Sequence, residues 1–249
     1  MLVIANGAPK SGSTWLFNIL RNLREFAEVP REFLLDPENP NSEIIYDRLP
    51  DFLREVDFRS ADYLLKNHFG AAHQRDAILS TPDVRVVNIK RDLKDAVVSS
   101  YYHEMRETGV RNSFARYYWR RGRFDAEHIR RYHATWEDIR DDRILFASYE
   151  ALKNDFATEV RRIADFIEAP LSSSDLQRLS EKTSMESLRK RYNDAGEIKF
   201  FRRGETGDWK NHFGRFTLRD ITLVETGGLG KSSFADKVFA RIMRGVPLL

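Results

Sequence analysis

The sequence contains no cysteine among its 249 residues. This absence excludes a disulfide framework, a thiolate zinc site and a cysteine nucleophile together. The sequence also lacks any apolar run near the roughly 18 residues that a membrane helix needs. Its N-terminal stretch has no basic leader of the kind that a signal peptide carries. We therefore expect a cytoplasmic protein without a membrane partner.

Charge of one sign is in small excess, because 41 Lys and Arg residues face 38 Asp and Glu residues, for a formal net charge of +3. So small an excess argues against a nucleic-acid partner. Hydrophobic residues make up 41% of the chain, which is enough for a sizeable core and too much for general disorder. We find no internal repeat or low-complexity tract, and the length predicts a single domain over residues 1–249.

Short β-rich runs alternate with helical patterns along the chain, which is typical of parallel βα units. The strands are predicted at Leu2–Ala5, Tyr63–Leu65, Val84–Ile89 and Ile144–Ala147. Polar or charged residues follow each strand. Since ligands of open parallel sheets bind outside the carboxyl ends of the strands, these positions predict the site. The expected fold class is α/β, with a central, mainly parallel sheet flanked by helices.

Helical periodicity follows three of these strands. After the third strand, Asp92 is a candidate cap for a helix that carries Leu93, Ala96, Val97 and Tyr101. The other two helices are predicted from apolar residues three and four apart, at Leu16, Ile19, Leu20 and Leu23 and at Leu152, Phe156, Val160, Ile163 and Ile167.

Two stretches resemble loops or insertions more than scaffold. Pro30–Pro50 holds four prolines with Asn and Asp between them. Met105–His128 is rich in arginine and aromatic residues, and two interpretations stay open for it: a solvated helix side, or a loop that covers a substrate pocket.

The segment between the first strand and its helix, Gly7–Thr14, has the composition of an anion-binding loop. Its glycines allow a tight turn, and the helix start offers unpaired N–H groups to an anion. Ser13 and Thr14 add hydroxyl donors, and Lys10 adds a positive charge. A Walker A loop would place lysine where Ser13 stands. The alternative is an ordinary Gly/Pro turn.

A second glycine-rich stretch, Gly227–Ser232, contains Gly-Lys-Ser and follows a possible strand at Ile221–Val224. Glu225 occupies the position of the first Walker glycine. The remaining chain is too short for the crossover that such a loop serves, so we interpret this stretch as a flexible turn.

Four segments together resemble one family, the sulfotransferases that use 3′-phosphoadenosine 5′-phosphosulfate (PAPS), and they are closest to the cytosolic type that acts on small molecules. Ala8–Trp15 is similar to the family's phosphosulfate loop, Tyr-Pro-Lys-Ser-Gly-Thr-Thr-Trp. Arg91–His103 resembles its 3′-phosphate motif, and Tyr149–Asp155 resembles its Tyr-Glu-Asp-Met-Lys-Glu-Asp segment. Arg202–Phe213 matches Arg-Lys-Gly-x-x-Gly-Asp-Trp-Lys-Asn-His-Phe. The resemblance implies a P-loop-like nucleotide-binding core.

The resemblance also assigns residues to the donor PAPS and to its product, 3′-phosphoadenosine 5′-phosphate (PAP). It implies that the loop residues hold the 5′-phosphate and sulfuryl group, that a set of basic and small residues takes the 3′-phosphate, and that Trp15 and Tyr149 bracket the adenine. The three sets are Lys10, Ser11, Gly12, Ser13 and Thr14 for the phosphosulfate; Arg91, Ser99, Arg202, Arg203 and Gly204 for the 3′-phosphate; and Trp15, Tyr149, Thr183 and Met185 for the adenine. Arginine suits phosphate because its planar fork pairs bidentately with phosphate oxygens.

Lys66-Asn67-His68, at the end of the second strand, resembles the family's Lys-Thr/Ser-His. Residues two apart in a strand share a face, so Lys66 and His68 should point together and Asn67 away. An imidazole titrates near neutral pH and suits a general base. Taken alone, His68 could be a structural residue; its place beside Lys66 and the match favour catalysis. The resemblance implies His68, Lys66 and Lys10 as the catalytic residues.

These features predict in-line sulfuryl transfer from PAPS to a hydroxyl or amine of a small-molecule acceptor, without a metal. Two alternatives stay open. One is a P-loop nucleotide kinase, against which the displaced Lys10 and the basic Lys90-Arg91 after the third strand both count. The other is a non-catalytic nucleotide-binding protein of the same fold.

Overall fold

The structure, a computed structural model, describes residues 1–39, 41, 43–194 and 204–227. These residues form two compact units. The first comprises Met1–Arg91 and Tyr132–Leu188, and the second comprises Asp92–Arg131 and the described part of Arg189–Leu249. The single domain expected for residues 1–249 stays a prediction.

The first unit contains a four-stranded sheet in which every neighbouring pair of strands is parallel. The strands are β1 (Leu2–Gly7), β2 (Tyr63–Asn67), β3 (Val84–Lys90) and β4 (Ile144–Ser148), in the order β2-β1-β3-β4. All four predicted strands are therefore confirmed, each extended by one or two residues at its carboxyl end. The expected α/β class with a parallel sheet is confirmed as well.

Strand β1 is central, and all six of its residues are buried. A parallel strand covered on both faces has no solvated side, which is why its first four residues, Leu2–Ala5, are all apolar. Ile4 pairs with Leu65 of β2 on one side and with Val86 of β3 on the other. From β1 the chain goes to β2 on one side and then crosses to β3 on the other side of β1. Such a switch point is where α/β sheets bind ligands.

The helices are distributed along the whole described chain. In chain order they are α1 (Ser13–Leu23), α2 (Leu49–Glu55), α3 (Ala72–Leu79), α4 (Leu93–Thr108), α5 (Phe114–Tyr117), α6 (Arg123–Glu137), α7 (Tyr149–Asn154), α8 (Phe156–Phe166), α9 (Ser173–Lys182), α10 (Met185–Asp194) and α11 (Arg215–Glu225). Asp92 caps α4 as predicted, because its carboxylate accepts the backbone N–H of Asp95.

The single helix predicted from Leu152 to Ile167 was wrong in one respect, since the segment forms two helices, α7 and α8. Asp155 separates them with a non-helical backbone, at φ −143° and ψ 77°, and its side chain caps α8 by accepting the N–H of Thr158. Aspartate competes for backbone donors in this way and thereby favours a helix start over a helix interior.

The loop interpretation of Met105–His128 was wrong, because most of this stretch is helical. It contains the end of α4, then α5, a π-helix at Tyr118–Gly122 and the first part of α6. Phe114, Tyr117 and Tyr118 are buried, while Arg116, Arg120 and Arg121 are exposed. The aromatic residues supply the packed face and the arginines the solvated one, so the helix-side alternative is confirmed.

The strand suggested at Ile221–Val224 was also wrong, because these residues lie in α11. Thr217, Asp220, Ile221 and Val224 are its buried residues, and their spacing of three, one and three is helical. Beyond Gly227, the second glycine-rich stretch lies outside the described residues.

The Pro30–Pro50 segment is largely irregular, as predicted. It contains short 3₁₀ turns at Arg31–Phe33 and Tyr46–Arg48 and an isolated bridge between Leu34 and Ile44. Phe33 and Ile44 are almost fully buried, so the segment is anchored at these two points. Among the described residues, no helix combines the length and the hydropathy that crossing a membrane requires.

Candidate active site

The loop after β1 is a tight turn with two residues in the left-handed region, Lys10 at φ 67° and Gly12 at φ 101°. Ser11 closes the turn, since its N–H and its hydroxyl both donate to the carbonyl of Ala8, at 3.1 and 2.6 Å. A Cβ at Gly12 would lie 2.6 Å from Cδ2 of Tyr149. Glycine is therefore required there both by the backbone angle and by the neighbouring ring.

This loop leads directly into α1, whose first turn has no side-chain cap and no acidic residue. The N–H groups at the start of a helix need partners and favour anions. Ser13 and Thr14 occupy the first two helical positions, where their hydroxyls add further donors. With Lys10 in the loop, this donor set fits the phosphosulfate group that the sequence resemblance implies.

The four residues predicted to contact adenine lie in the first unit. Trp15 contacts Tyr149 edge to face, with ring centroids 5.3 Å apart, and stacks on Phe156 at 6.3 Å. The indole N–H donates to the carbonyl of Thr183 at 2.9 Å. Met185 begins α10, two residues further on. The Trp15 and Tyr149 rings thus contact each other directly, and their contact with adenine stays a prediction.

Arg91 follows β3 and lies at the same loop. Its guanidinium stacks on the Tyr149 ring, 4.3 Å from the centroid, and donates to the carbonyl of Lys10 at 3.4 Å. The structure therefore brings Tyr149 and Arg91 to the loop at Gly7–Thr14, which we call the phosphate loop. Stacking on an aromatic face holds the planar guanidinium while its edge can still meet a phosphate.

The predicted catalytic pair lies at the end of β2. Lys66 Nζ and His68 Nε2 approach the same oxygen, Oε1 of Glu43, at 2.9 and 3.5 Å. Asn67 points elsewhere, because its amide exchanges hydrogen bonds with the backbone of Ile44. The predicted alternation of Lys66 and His68 against Asn67 is therefore confirmed.

The histidine tautomer follows from the backbone. Nδ1 of His68 lies 2.5 Å from the carbonyl oxygen of Gly7. A carbonyl only accepts, so Nδ1 must carry the proton, and Nε2 holds the lone pair in the neutral ring. Gly7 ends β1 and begins the phosphate loop. The basic nitrogen is thus fixed relative to that loop by a single hydrogen bond.

Burial and charge set the protonation states of this cluster. Burial lowers the pKa of His68; Glu43 opposes this shift, while Lys66 and Lys10 add to it, so the imidazole is neutral at pH 7. Burial tends to raise the pKa of Glu43, but Lys66 and His68 outweigh burial and hold that pKa below its usual range. Burial and the neighbouring Glu43 raise the pKa of Tyr46 to about 12, so this phenol donates a hydrogen bond to Glu43.

Of the residues predicted for the 3′-phosphate beyond Arg91, Ser99 and Gly204 belong to the second unit. Ser99 lies on α4, and Gly204 has φ 63°. Arg202 and Arg203 lie outside the described residues. Within this unit, the carboxylate of Asp95 accepts the backbone N–H groups of Gly207 at 2.6 Å and Trp209 at 3.0 Å. Asp95 thereby fixes the chain that follows Gly204.

Two residues of the Pro30–Pro50 segment were not predicted from the sequence: Glu43, which contacts Lys66, and Tyr46, whose hydroxyl donates to Glu43. A single acidic residue in an irregular segment gives no local signal. The missing information was tertiary, namely the bonds between Asn67 and Ile44 that bring this segment to β2. Within the described part of the chain, no cluster of His, Asp and Glu could hold a metal ion.

Comparison with known proteins agrees with this geometry. The family model for the sulfotransferase domain matches residues 2–223. A flavonol sulfotransferase-like protein of Flaveria bidentis is 27% identical over 236 residues, covering 83% of this chain and 74% of its own. Sulfotransferase 1E1 of Homo sapiens is 28% identical over 233 residues, covering 85% and 78%.

Two solved structures share the fold. Mouse sulfotransferase SULT7A1 in complex with PAP superposes with a TM-score of 0.69 at 16% identity, covering 99% of this chain and 89% of that protein. Retinol dehydratase in complex with androsterone and PAP superposes with a TM-score of 0.60 at 20% identity, covering 94% and 82%. The family match over nearly the whole chain shows that this protein belongs to the sulfotransferase family and is a PAPS-dependent enzyme that releases PAP.

Proposed function

We propose that this enzyme transfers the sulfuryl group to a hydroxyl or amine of a small-molecule acceptor, with His68 as the general base. The observation that carries the proposal is the bond between His68 Nδ1 and the Gly7 carbonyl, at 2.5 Å. It leaves Nε2 as the basic atom and ties it to the loop that would hold the donor. The lowered pKa keeps this base unprotonated at neutral pH.

When PAPS is bound, it supplies a sulfuryl group activated by the anhydride bond to its 5′-phosphate. The S–O bond to the phosphate breaks as the acceptor oxygen, or nitrogen, forms a bond to sulfur, with the two reacting partners in line. His68 Nε2 takes the proton from the acceptor atom, and the electron pair of the broken bond leaves with the phosphate oxygen of PAP.

Lys66 and Lys10 supply positive charge to the moving group. Lys66 is nearly buried, with 9% of its side chain exposed, where a charge is less screened than in water. Lys10 lies in the loop itself. Their charges would act where negative charge develops on the sulfuryl and phosphate oxygens, which is the condition for lowering the barrier.

The donor-binding residues follow from the same proposal. Lys10, Ser11, Gly12, Ser13 and Thr14 would hold the phosphosulfate, and Trp15, Tyr149, Thr183 and Met185 the adenine. The resemblance supports Arg91, Ser99, Arg202, Arg203 and Gly204 for the 3′-phosphate. We further propose a single catalytic domain over residues 1–249, acting in the cytoplasm without a metal and without a nucleic-acid or membrane partner.

The test is His68→Asn, with His73→Asn as a matched control on the exposed start of α3. The asparagine should keep the fold and the PAP affinity while turnover falls by about 10²–10⁴-fold, the usual contribution of a positioned base. Melting temperature, PAP Kd and kcat are measured on one preparation. A His68→Asn variant that melts early but turns over at the full rate per folded molecule would make His68 a structural residue.

The kinase alternative differs from the proposal in its donor, which would be ATP and not PAPS. Phosphate transfer from ATP and Mg²⁺ to any acceptor, without sulfuryl transfer from PAPS, would contradict the proposal. A protein that binds PAP but transfers no sulfuryl group in a single turnover would favour the non-catalytic alternative.

A further inference from the structure

Glu43 is an acidic residue at the catalytic pair that no local pattern in the sequence predicts. Its Oε1 lies 2.9 Å from Lys66 Nζ and 3.5 Å from His68 Nε2, and its Oε2 accepts the hydroxyl of Tyr46 at 3.2 Å. The side chain is 20% exposed. One carboxylate therefore contacts both proposed catalytic groups and a neutral phenol.

The backbone around Glu43 is held firmly. Its carbonyl accepts the N–H of Leu35 at 2.8 Å. The next residue, Ile44, is fully buried and exchanges two hydrogen bonds with the side chain of Asn67, each at 3.2 Å. Asn67 lies between Lys66 and His68 in the sequence but points away from both. Its bonds to Ile44 therefore hold the backbone next to Glu43, which contacts Lys66 and His68.

We propose that Glu43 is a positioning residue of the reaction: its carboxylate orients Lys66 and His68 and stabilises the imidazolium that forms when His68 takes the acceptor proton. This inference rests on the proposed role of His68 as base. Proton transfer moves a positive charge onto the ring whose Nε2 lies 3.5 Å from Oε1 of Glu43. A fixed negative charge at that distance favours the transfer, because opposite charges within about 4–6 Å stabilise the charged form.

The other groups that face His68 make Glu43 matter more. Lys66 on the same strand end and Lys10 in the phosphate loop both disfavour the imidazolium, and burial does so too. Tyr46 stays neutral near pH 7, and the Gly7 carbonyl holds Nδ1. Among the described residues that act on His68, Glu43 is thus the carboxylate that opposes two cations. Without it, His68 would be a weaker base.

The first experiment needs no donor. The ring NMR signals of the six histidines are followed against pH, and His68 is assigned by its loss in His68→Asn. In Glu43→Gln, the pKa of His68 should fall by about one unit, the lower end of the shift that a neighbouring opposite charge produces. Glu32→Gln, in the exposed part of the same segment, is the matched control and should leave that pKa unchanged.

Glu43→Asp separates charge from shape. It keeps the carboxylate, so it should restore most of the His68 pKa, whereas a purely structural role of Glu43 would leave the pKa the same in all three variants that fold. If Glu43→Gln fails to fold, Glu43→Asp alone still tests the inference. The shortened carboxylate should lower the pKa of His68 by less than one unit, whereas the pKa should not change if Glu43 has no electrostatic role.

Kinetics then distinguish this inference from the function on which it rests. Glu43→Gln should lower kcat by about tenfold and move the acid limb of kcat/KM to lower pH, with the KM for the donor within about twofold of wild type. If His68→Asn is inactive but Glu43→Gln has the wild-type pH profile and the wild-type His68 pKa, the role of Glu43 is refuted and the base assignment stands. If His68→Asn is fully active, the base assignment itself fails.

Discussion

Replacing Gly12 by alanine tests the geometry of the phosphate loop, because two separate costs can be worked from the structure. The φ of 101° costs a residue with a Cβ about 2 kcal/mol, within the range for a strained backbone conformation. The added Cβ would also lie 2.6 Å from Cδ2 and 3.2 Å from Cε2 of Tyr149, and such overpacking costs a further ~2 kcal/mol. Gly12→Ala should therefore lower the free energy of unfolding by about 4 kcal/mol.

The control is Gly109→Ala, at the end of α4. Gly109 has φ 67°, but a Cβ added there would meet no heavy atom within 4 Å, so this variant carries the backbone cost of about 2 kcal/mol alone. For a chain of this size, 1 kcal/mol corresponds to roughly 2–4 °C in melting temperature. Gly12→Ala should thus melt about 8–16 °C lower than wild type, and Gly109→Ala about 4–8 °C lower.

Calorimetry gives both melting temperatures, and titration calorimetry gives the PAP affinity, which only Gly12→Ala should weaken. Combining Gly12→Ala with Tyr149→Ala removes the ring that the new methyl group meets, so the double variant should be more stable than the sum of the two single losses predicts. Equal losses in Gly12→Ala and Gly109→Ala, with additive behaviour in the double variant, would refute the contact between the loop and Tyr149.

Two further predictions concern the donor. Arg91→Ala should weaken PAP binding by about 1.5–3 kcal/mol, the range for hydrogen bonds to a charged group; an analogue without the 3′-phosphate should lose similar affinity on the wild type and little more on the variant, and additive losses in a titration would assign Arg91 another role. Turnover with PAPS should persist in excess EDTA, because Arg91 and the lysines supply the positive charge; strict dependence on Mg²⁺ in the same assay would favour the kinase alternative.

The sequence predicted the strands well because of where they lie in the sheet. A parallel strand covered on both faces is a near-continuous apolar run. Leu2–Ala5 of β1 has that pattern, and β3 is rich in β-branched residues although it also contains Arg85 and Asn88. The pairing of Lys66 with His68 was equally predictable, since the side-chain period of a strand is two. These regularities are local, so they can be read without knowing what the strand packs against.

The parts that the sequence could not predict depend on distant contacts. Glu43 meets Lys66 in a segment that is held to β2 by the bonds between Asn67 and the backbone of Ile44. The helical nature of the arginine-rich stretch after Met105 depends on aromatic neighbours, as in the contact of Phe114 with Phe213 at 4.7 Å. Neither Pro30–Pro50 nor this stretch carries a periodic pattern strong enough to predict such contacts.

The parallel register between β1 and β2 has a consequence for how this protein can change during evolution. Ala5 pairs with Lys66 and Asn6 with Asn67. This register fixes the positions of Lys66 and Asn67 relative to the loop that follows β1. Losing one residue between Tyr63 and Lys66 would place Asn67 on the face that Lys66 and His68 now occupy, and those two residues on the opposite face, because a slip of one residue exchanges the faces of a strand. The irregular segment before Tyr63 is not under this register constraint, except at its buried anchors Phe33 and Ile44. Insertions and deletions can therefore accumulate in that segment, while β2 tolerates substitution but not a change in length.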